Sequence, residues 1–155
     1  MHIRSLTFDD IELLTYYFIS LDQDCRRLSF GSARSDSGIA DYVSSIDMRS
    51  FVGIGAFKDG ELIGVVELLG DGHEREAAVT ILRAHRKSGI GLALVRRAIV
   101  VGEVHGWSRL VFFVEPYNHG MARLAMKAGA VKEDGCLSIW LSRASGEHDS
   151  RAARS

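Results

Sequence analysis

Six consecutive residues, Arg86-Lys87-Ser88-Gly89-Ile90-Gly91, have the types and order needed to hold an anion. They lie between a β-like apolar run, Ala77-Ala78-Val79-Thr80-Ile81-Leu82, and a long apolar stretch from Leu92 that reads as a helix. A helix N-terminus presents backbone N–H groups without intrahelical partners, together with the positive end of the helix dipole. Gly89 and Gly91 have no Cβ, so an anion approaches the backbone closely. Donors from Lys87 to Gly91 are expected to meet phosphate oxygens, each charge-assisted bond contributing about 1.5–3 kcal/mol. Arg86 or Lys87 would add a side-chain contact. Two common phosphate loops are excluded. A dinucleotide fingerprint needs a third glycine where Leu94 stands, and a P-loop needs Lys and Ser/Thr where Leu92-Ala93 follow Gly91.

The elements that position this loop are legible around it. The reading is strand 2–6, helices 9–20 and 22–30, a helix near 37–46, and strands 51–57, 62–69 and 76–82. A helix from about 90 to 105, strand 109–114, helix 118–128 and strand 136–142 complete it. Asp59-Gly60 between β-rich runs signals a hairpin, and Gly106 suits the residue just past a helix end. The order β-α-α-β-β-β-α-β-α-β gives an α/β (α+β) domain, a mixed sheet with helices on both faces. Residues 1–142 form one domain, and 143–155, a polar tail without periodicity, is expected to be mobile. The helix from Leu92 is apolar nearly all round, as for one packed on a sheet. Arg96 and Arg97 lie on its residual polar face.

Composition narrows the partners. A net charge of −1 gives no electrostatic footprint for nucleic acid or an anionic membrane. No apolar run reaches the roughly 18 residues of a membrane span, and Met1-His2-Ile3-Arg4 lacks a signal-peptide core. Cys25 and Cys136 are far apart and form no Cys-x-x-Cys unit, so a reduced, cytoplasmic setting is expected. The six histidines make no His-x-x-x-His or Glu-x-x-His pair, and no metal site is expected.

Arg-x-x-Gly-x-Gly between a strand and a helix resembles the acyl-CoA pyrophosphate loop of the GNAT N-acetyltransferase superfamily. A second match follows in the family's order: strand Leu110–Val114, then Asn118, a helix through Leu124 and Lys127, and Gly129. The two motifs cover about residues 50–142. More loosely, Leu21-Asp22-Gln23-Asp24-Cys25-Arg26-Arg27-Leu28-Ser29-Phe30 is similar to a stretch in the bacterial protein-lysine acetyltransferase (Pat-like) branch. The resemblance implies a mixed, largely antiparallel sheet. It also implies acetyl-CoA as cofactor, an amine (protein lysine or small molecule) as acceptor, and a monomer or homodimer.

It further implies site residues. Loop residues Arg86, Lys87, Ser88, Gly89, Ile90, Gly91 and Leu92 would hold the pyrophosphate. The strand end Ile81, Leu82 and Arg83 would offer backbone groups to the pantetheine amides, as in an added strand. Asn118 would bond the pantetheine arm, besides being a helix N-cap. A lysine-like amine is neutral in only about one molecule in 2,500 at pH 7, so transfer needs a base. Glu76, ten residues before Arg86, stands at the offset of the Pat-like general base. Glu67, on the neighbouring strand, is the second candidate. The sequence departs from many family members at Ala125, where a tyrosine protonates the leaving thiolate, and at Ala130 and Met121. Pat-like members also lack that tyrosine, and water or the product ammonium can protonate a mildly basic thiolate. A non-catalytic acyl-CoA-binding or sensing module is the alternative reading.

Overall fold

The computed structural model describes residues 1–30, 32 and 34–142; the expected mobile tail at 143–155 lies outside them. Seven strands form one sheet: β1 (His2–Ser5), β2 (Gly53–Lys58), β3 (Glu61–Leu69), β4 (Glu74–Ile81), β5 (Arg109–Phe112), β6 (Val131–Glu133) and β7 (Cys136–Trp140), in the order β1-β2-β3-β4-β5-β7-β6. Every neighbouring pair is antiparallel except β4 with β5. The α-helices are α1 (Ile11–Ile19), α2 (Gln23–Phe30), α3 (Asp36–Ser45), α4 (Ile90–His105) and α5 (His119–Lys127).

This is the mixed, largely antiparallel architecture expected, with two elements beyond the written order: three helices rather than two precede β2, as the read segments 9–20, 22–30 and 37–46 require, and one strand is added. The read order has no β6. Val131–Glu133 folds back on β7 around Asp134-Gly135, both with positive φ, as a short hairpin at the sheet edge. Three residues are too few for a period-2 pattern to register.

Two cores cover the two faces. Leu94, Val95 and Ala98 of α4 pack on Ile54, Val66, Leu68 and Ala77, and Ala125 of α5 joins them. On the other face Leu14, Phe18, Ile39 and Val43 from α1 and α3 pack on Leu62 and Val65. A bulge between Ala56 and Phe57 puts one extra residue, Ile63, into β3. The α1 end is tied to β1 by a bidentate Arg4–Asp10 pair at 2.8 and 2.9 Å. Arg4, with the Thr7 backbone N–H, pulls the Asp10 carboxyl down to about 2.

The parallel junction is what opens the sheet. β4 and β5 share three rungs, Glu74 with Arg109, Arg75 with Leu110 and Glu76 with Val111, and beyond Glu76 they part. The Ser108 N–H donating to the His73 carbonyl at 2.7 Å pins the joined end. Leu82 N–H donates to Ile63 O on the β3 side, and Leu68 N–H donates to Val52 O on the β2 side. Ladder alternation therefore turns the backbone groups of Ala77, Val79 and Ile81 away from β3; the Ala77 N–H closes the last rung on Val111, and the Ala77 carbonyl with the groups of Val79 and Ile81 faces the gap.

Candidate active site

The gap runs from Glu76 to the loop that opens α4. Four residue steps from Ala77 to Ile81 span about 13 Å of extended chain. At its open end Gly89 is the N-cap of α4, with φ of 85°, and no side chain caps the helix. The first N–H groups of α4 thus have no side-chain acceptor, which is the arrangement that receives an anion.

The two glycines of this loop do different work. A Cβ on Gly89 would meet nothing within 4 Å, so its requirement is the left-handed backbone conformation. A Cβ on Gly91 would lie 2.9 Å from Leu124 Cδ2, so the bare Cα there lets α5 pack against α4. Access for a ligand is not what Gly91 alone provides.

Arg86 is committed within the protein. Its Nε donates to Ile81 O at 3.1 Å and its guanidinium pairs with Asp22 at 3.3 Å; Arg83 reaches the same carboxylate at 3.0 Å. Asp22 also accepts the Cys25 N–H at 2.7 Å, so one carboxylate starts α2 and braces the loop. That backbone bond, with Arg86 and Arg83, holds the Asp22 carboxyl below its ordinary value. Lys87 and Ser88 are exposed, and Ser88 donates to the His85 carbonyl. Arg96 and Arg97 are exposed on α4. The strand ends at Ile81 and Leu82 N–H is spent on β3, so the groups facing the gap are the Ala77 carbonyl and the backbone of Val79 and Ile81, the Ile81 carbonyl also accepting Arg86 Nε; of the expected Ile81, Leu82 and Arg83, Ile81 is the one on that side of the strand. Asn118 is the N-cap of α5, its Oδ1 accepting the Met121 N–H at 3.2 Å. Ala125 is fully buried, and Tyr117 beside Asn118 is exposed.

The joined end of the gap carries the carboxylates. Glu67 pairs with Ala78, and Leu69 with Glu76, so Glu67 and Glu76 project from the same face as diagonal neighbours. This is the α1–α3 face. Glu67 is 6% exposed and accepts the Tyr42 hydroxyl at 2.6 Å. Burial raises its carboxyl above the ordinary range, and Glu76 adds to the rise against the opposing Tyr42 bond. One strand position along, the Tyr17 hydroxyl lies 2.8 Å from Thr80 O and 2.9 Å from Thr80 Oγ1. Burial pushes both phenols above their ordinary values. Tyr17, Tyr42 and Asp22 were not legible as site residues. Each sits on a helix or turn remote in sequence from the strand or loop it touches, and a tyrosine on an amphipathic helix reads as core.

The raised Glu67 carboxyl has a stability consequence. Its charged form is disfavoured by folding, so its contribution is intact below the ordinary carboxylate range and is lost as pH rises through the raised value. Glu67→Gln keeps an acceptor for Tyr42 and removes the charge. Its melting temperature relative to the parent is therefore expected to be higher at pH 8 than at pH 4. An offset that is the same at both pH values would show that Glu67 bears no buried charge.

Among the described residues no group of three or more His, Cys, Asp or Glu is placed to hold a metal ion. No described helix is long and apolar enough to cross a membrane.

Comparison with known proteins agrees with this geometry. The model of an acetyltransferase (GNAT) domain matches residues 1–131. The GNAT domain of S. lividans PAT superposes with a TM-score of 0.75 at 25% identity, covering 90% of this chain and 89% of that one. Spermidine N-acetyltransferase from Vibrio cholerae, solved with CoA and spermine, gives 0.73 at 18% identity over 92% and 96%. The ribosomal-protein-S18-alanine N-acetyltransferase from Escherichia coli gives 0.68 at 17% over 94% and 96%. No curated protein sequence matches significantly. Matched along most of its length, the chain belongs to the GNAT acetyltransferase family.

Proposed function

We propose that this protein transfers an acetyl group from acetyl-CoA directly to an amine. The observation that carries the reading is the gap between β4 and β5. It has an uncapped helix N-terminus at one end and two carboxylates beside the other. Pyrophosphate would rest on the N–H groups at 89–92, with the dipole of α4 behind them. The pantetheine amides would bond the Ala77 carbonyl and the backbone of Val79 and Ile81, completing the sheet where β5 leaves it. Asn118 would touch the same arm through its amide nitrogen while its oxygen caps α5.

The thioester then lies near Glu76, at the last shared rung. The acceptor nitrogen attacks the carbonyl carbon, Glu76 takes its proton directly or through water, and the C–S bond breaks. Glu67 stands beside it as the second candidate base, its carboxyl raised above the ordinary range by burial. The leaving thiolate takes a proton from water or the product ammonium, since Ala125 offers none. The buried Ala125 is also the feature that favours the rival reading, a module that binds acyl-CoA without turning it over.

The cofactor assignment is tested by thermal shift. CoA and acetyl-CoA are expected to raise the melting temperature by selective binding to the folded state, with NADH and ATP far less effective. Equal stabilisation by ATP would mark the loop as a generic phosphate site.

A further inference from the structure

Arg34 lies over the ring of Tyr42, the residue whose hydroxyl bonds Glu67, and pairs with no carboxylate among the described residues. Its guanidinium carbon lies 5.0 Å from the Phe30 ring centre and 5.7 Å from that of Tyr42. Phe30, Tyr42 and the fully buried Phe18 pack edge to face, so Arg34 rests on a rigid aromatic platform. The Tyr42 hydroxyl in turn bonds Glu67. Burial, Glu67 and Glu76 raise the Tyr42 phenol, and Arg34 opposes the rise.

The position of Arg34 is built rather than incidental. Arg26, 5% exposed, donates to the Arg34 carbonyl at 2.8 Å. The same guanidinium donates to the carbonyls of Ile19 and Leu21 and pairs with Asp36 at 2.8 Å. A buried arginine thus ties the end of α1, the start of α3 and the Arg34 backbone together. Stacking holds the planar fork of Arg34 and leaves its donors open to an oxygen acid.

We infer that Arg34 reads a carboxylate or other anionic group on the acceptor, so that the preferred substrate is a primary amine bearing an anion a few atoms from the nitrogen rather than a polyamine. The amine would face Glu67 and Glu76 while the anion meets Arg34, a charge pattern complementary to a zwitterion. The inference rests on the acyl-transfer reading above. Two sources share this chemistry: a free amino carboxylate, and a lysine flanked by acidic residues in a peptide.

The test is free-CoA release from acetyl-CoA with matched acceptors. Lysine is compared with its decarboxylated diamine, and a lysine peptide flanked by glutamates with one flanked by arginines. The carboxylated member of at least one pair is expected to show kcat/KM at least tenfold higher. Arg34→Gln should bring that ratio close to one through KM rather than kcat, and Arg34→Lys should restore part of it. Arg49→Gln, which removes a charge far more exposed, should retain the full ratio. Preference in the free pair alone supports a small-molecule source, and preference in the peptide pair alone supports a protein source. Turnover with no gain from the anion, or a preference that survives Arg34→Gln, overturns the inference and leaves acyl transfer standing. No turnover with any amine overturns both.

Discussion

Glu76→Gln is expected to lower turnover by roughly 10²–10⁴-fold at neutral pH while leaving acetyl-CoA affinity nearly unchanged. The carboxylate sits on the last rung joining β4 to β5 and projects toward α1–α3, the side proposed for the acceptor, whereas the backbone groups proposed for the cofactor lie in the plane of the sheet. The amide that replaces it cannot take a proton. Raising the pH should recover part of the rate, because more of the amine is then already neutral. Glu67→Gln is the matched comparison, since the two side chains share one face. If it carries the loss instead, the base is on β3 and the buried, raised carboxyl is the working group. If neither change slows a verified acceptor, the carboxylates do not take the proton. Steady-state rates from pH 6 to 9 with a saturating acceptor separate these outcomes.

The second large effect is at the loop. Gly89→Asp is expected to weaken acetyl-CoA binding by more than 100-fold. Aspartate is among the residues that tolerate a left-handed backbone, and it is a favoured N-cap, so the chain should still fold. Its carboxylate would then take the N–H groups proposed for pyrophosphate and repel the phosphates. Losing two charge-assisted bonds costs about 3–6 kcal/mol, which exceeds the free-energy equivalent of two decades in affinity. Gly91→Ala is expected to behave differently. Its new methyl meets Leu124 at the α4–α5 contact, so the change should appear as a loss of stability of overpacking size, about 1–3 kcal/mol, with a lowered melting temperature and a smaller effect on affinity. Calorimetric titration of both folded variants distinguishes a ligand contact from a packing contact. Parent-like affinity in Gly89→Asp would place the cofactor elsewhere.

These two glycines also show how far a sequence reading reaches. The loop, its flanking strand and its helix are local features, and the start of α4 at Ile90 and its end before Gly106 fall where the pattern of apolar residues and glycines puts them. What differs between Gly89 and Gly91 is tertiary, a leucine 33 positions away, and no local pattern carries it. The same holds for the strand end. Apolar spacing extends the strand to Leu82, but the groups able to meet a ligand are decided by which side of β4 is already paired, and hence by the register with β3. Glu67 and Glu76 were visible as carboxylates on neighbouring strands. Their placement on one face follows only from the pairing Glu67 with Ala78 and Leu69 with Glu76. The hydroxyls of Tyr17 and Tyr42 come from helices 63 and 25 positions distant from their partners, beyond any motif. The hairpin at Asp134-Gly135 is a milder case. Its turn residues are the usual ones, but β6 is too short and too exposed to alternate detectably.

The central claim is direct acyl transfer from acetyl-CoA to an amine, and product analysis tests it most directly. The protein is incubated with acetyl-CoA and a pool of amino carboxylates, diamines and lysine peptides; free CoA thiol is titrated and the acceptors are weighed by mass spectrometry. The account predicts free CoA and an N-acetylated acceptor in equal amounts, well above the protein-free rate, with both lost in Gly89→Asp. Tight binding of acetyl-CoA with neither product rising above the protein-free rate would contradict it.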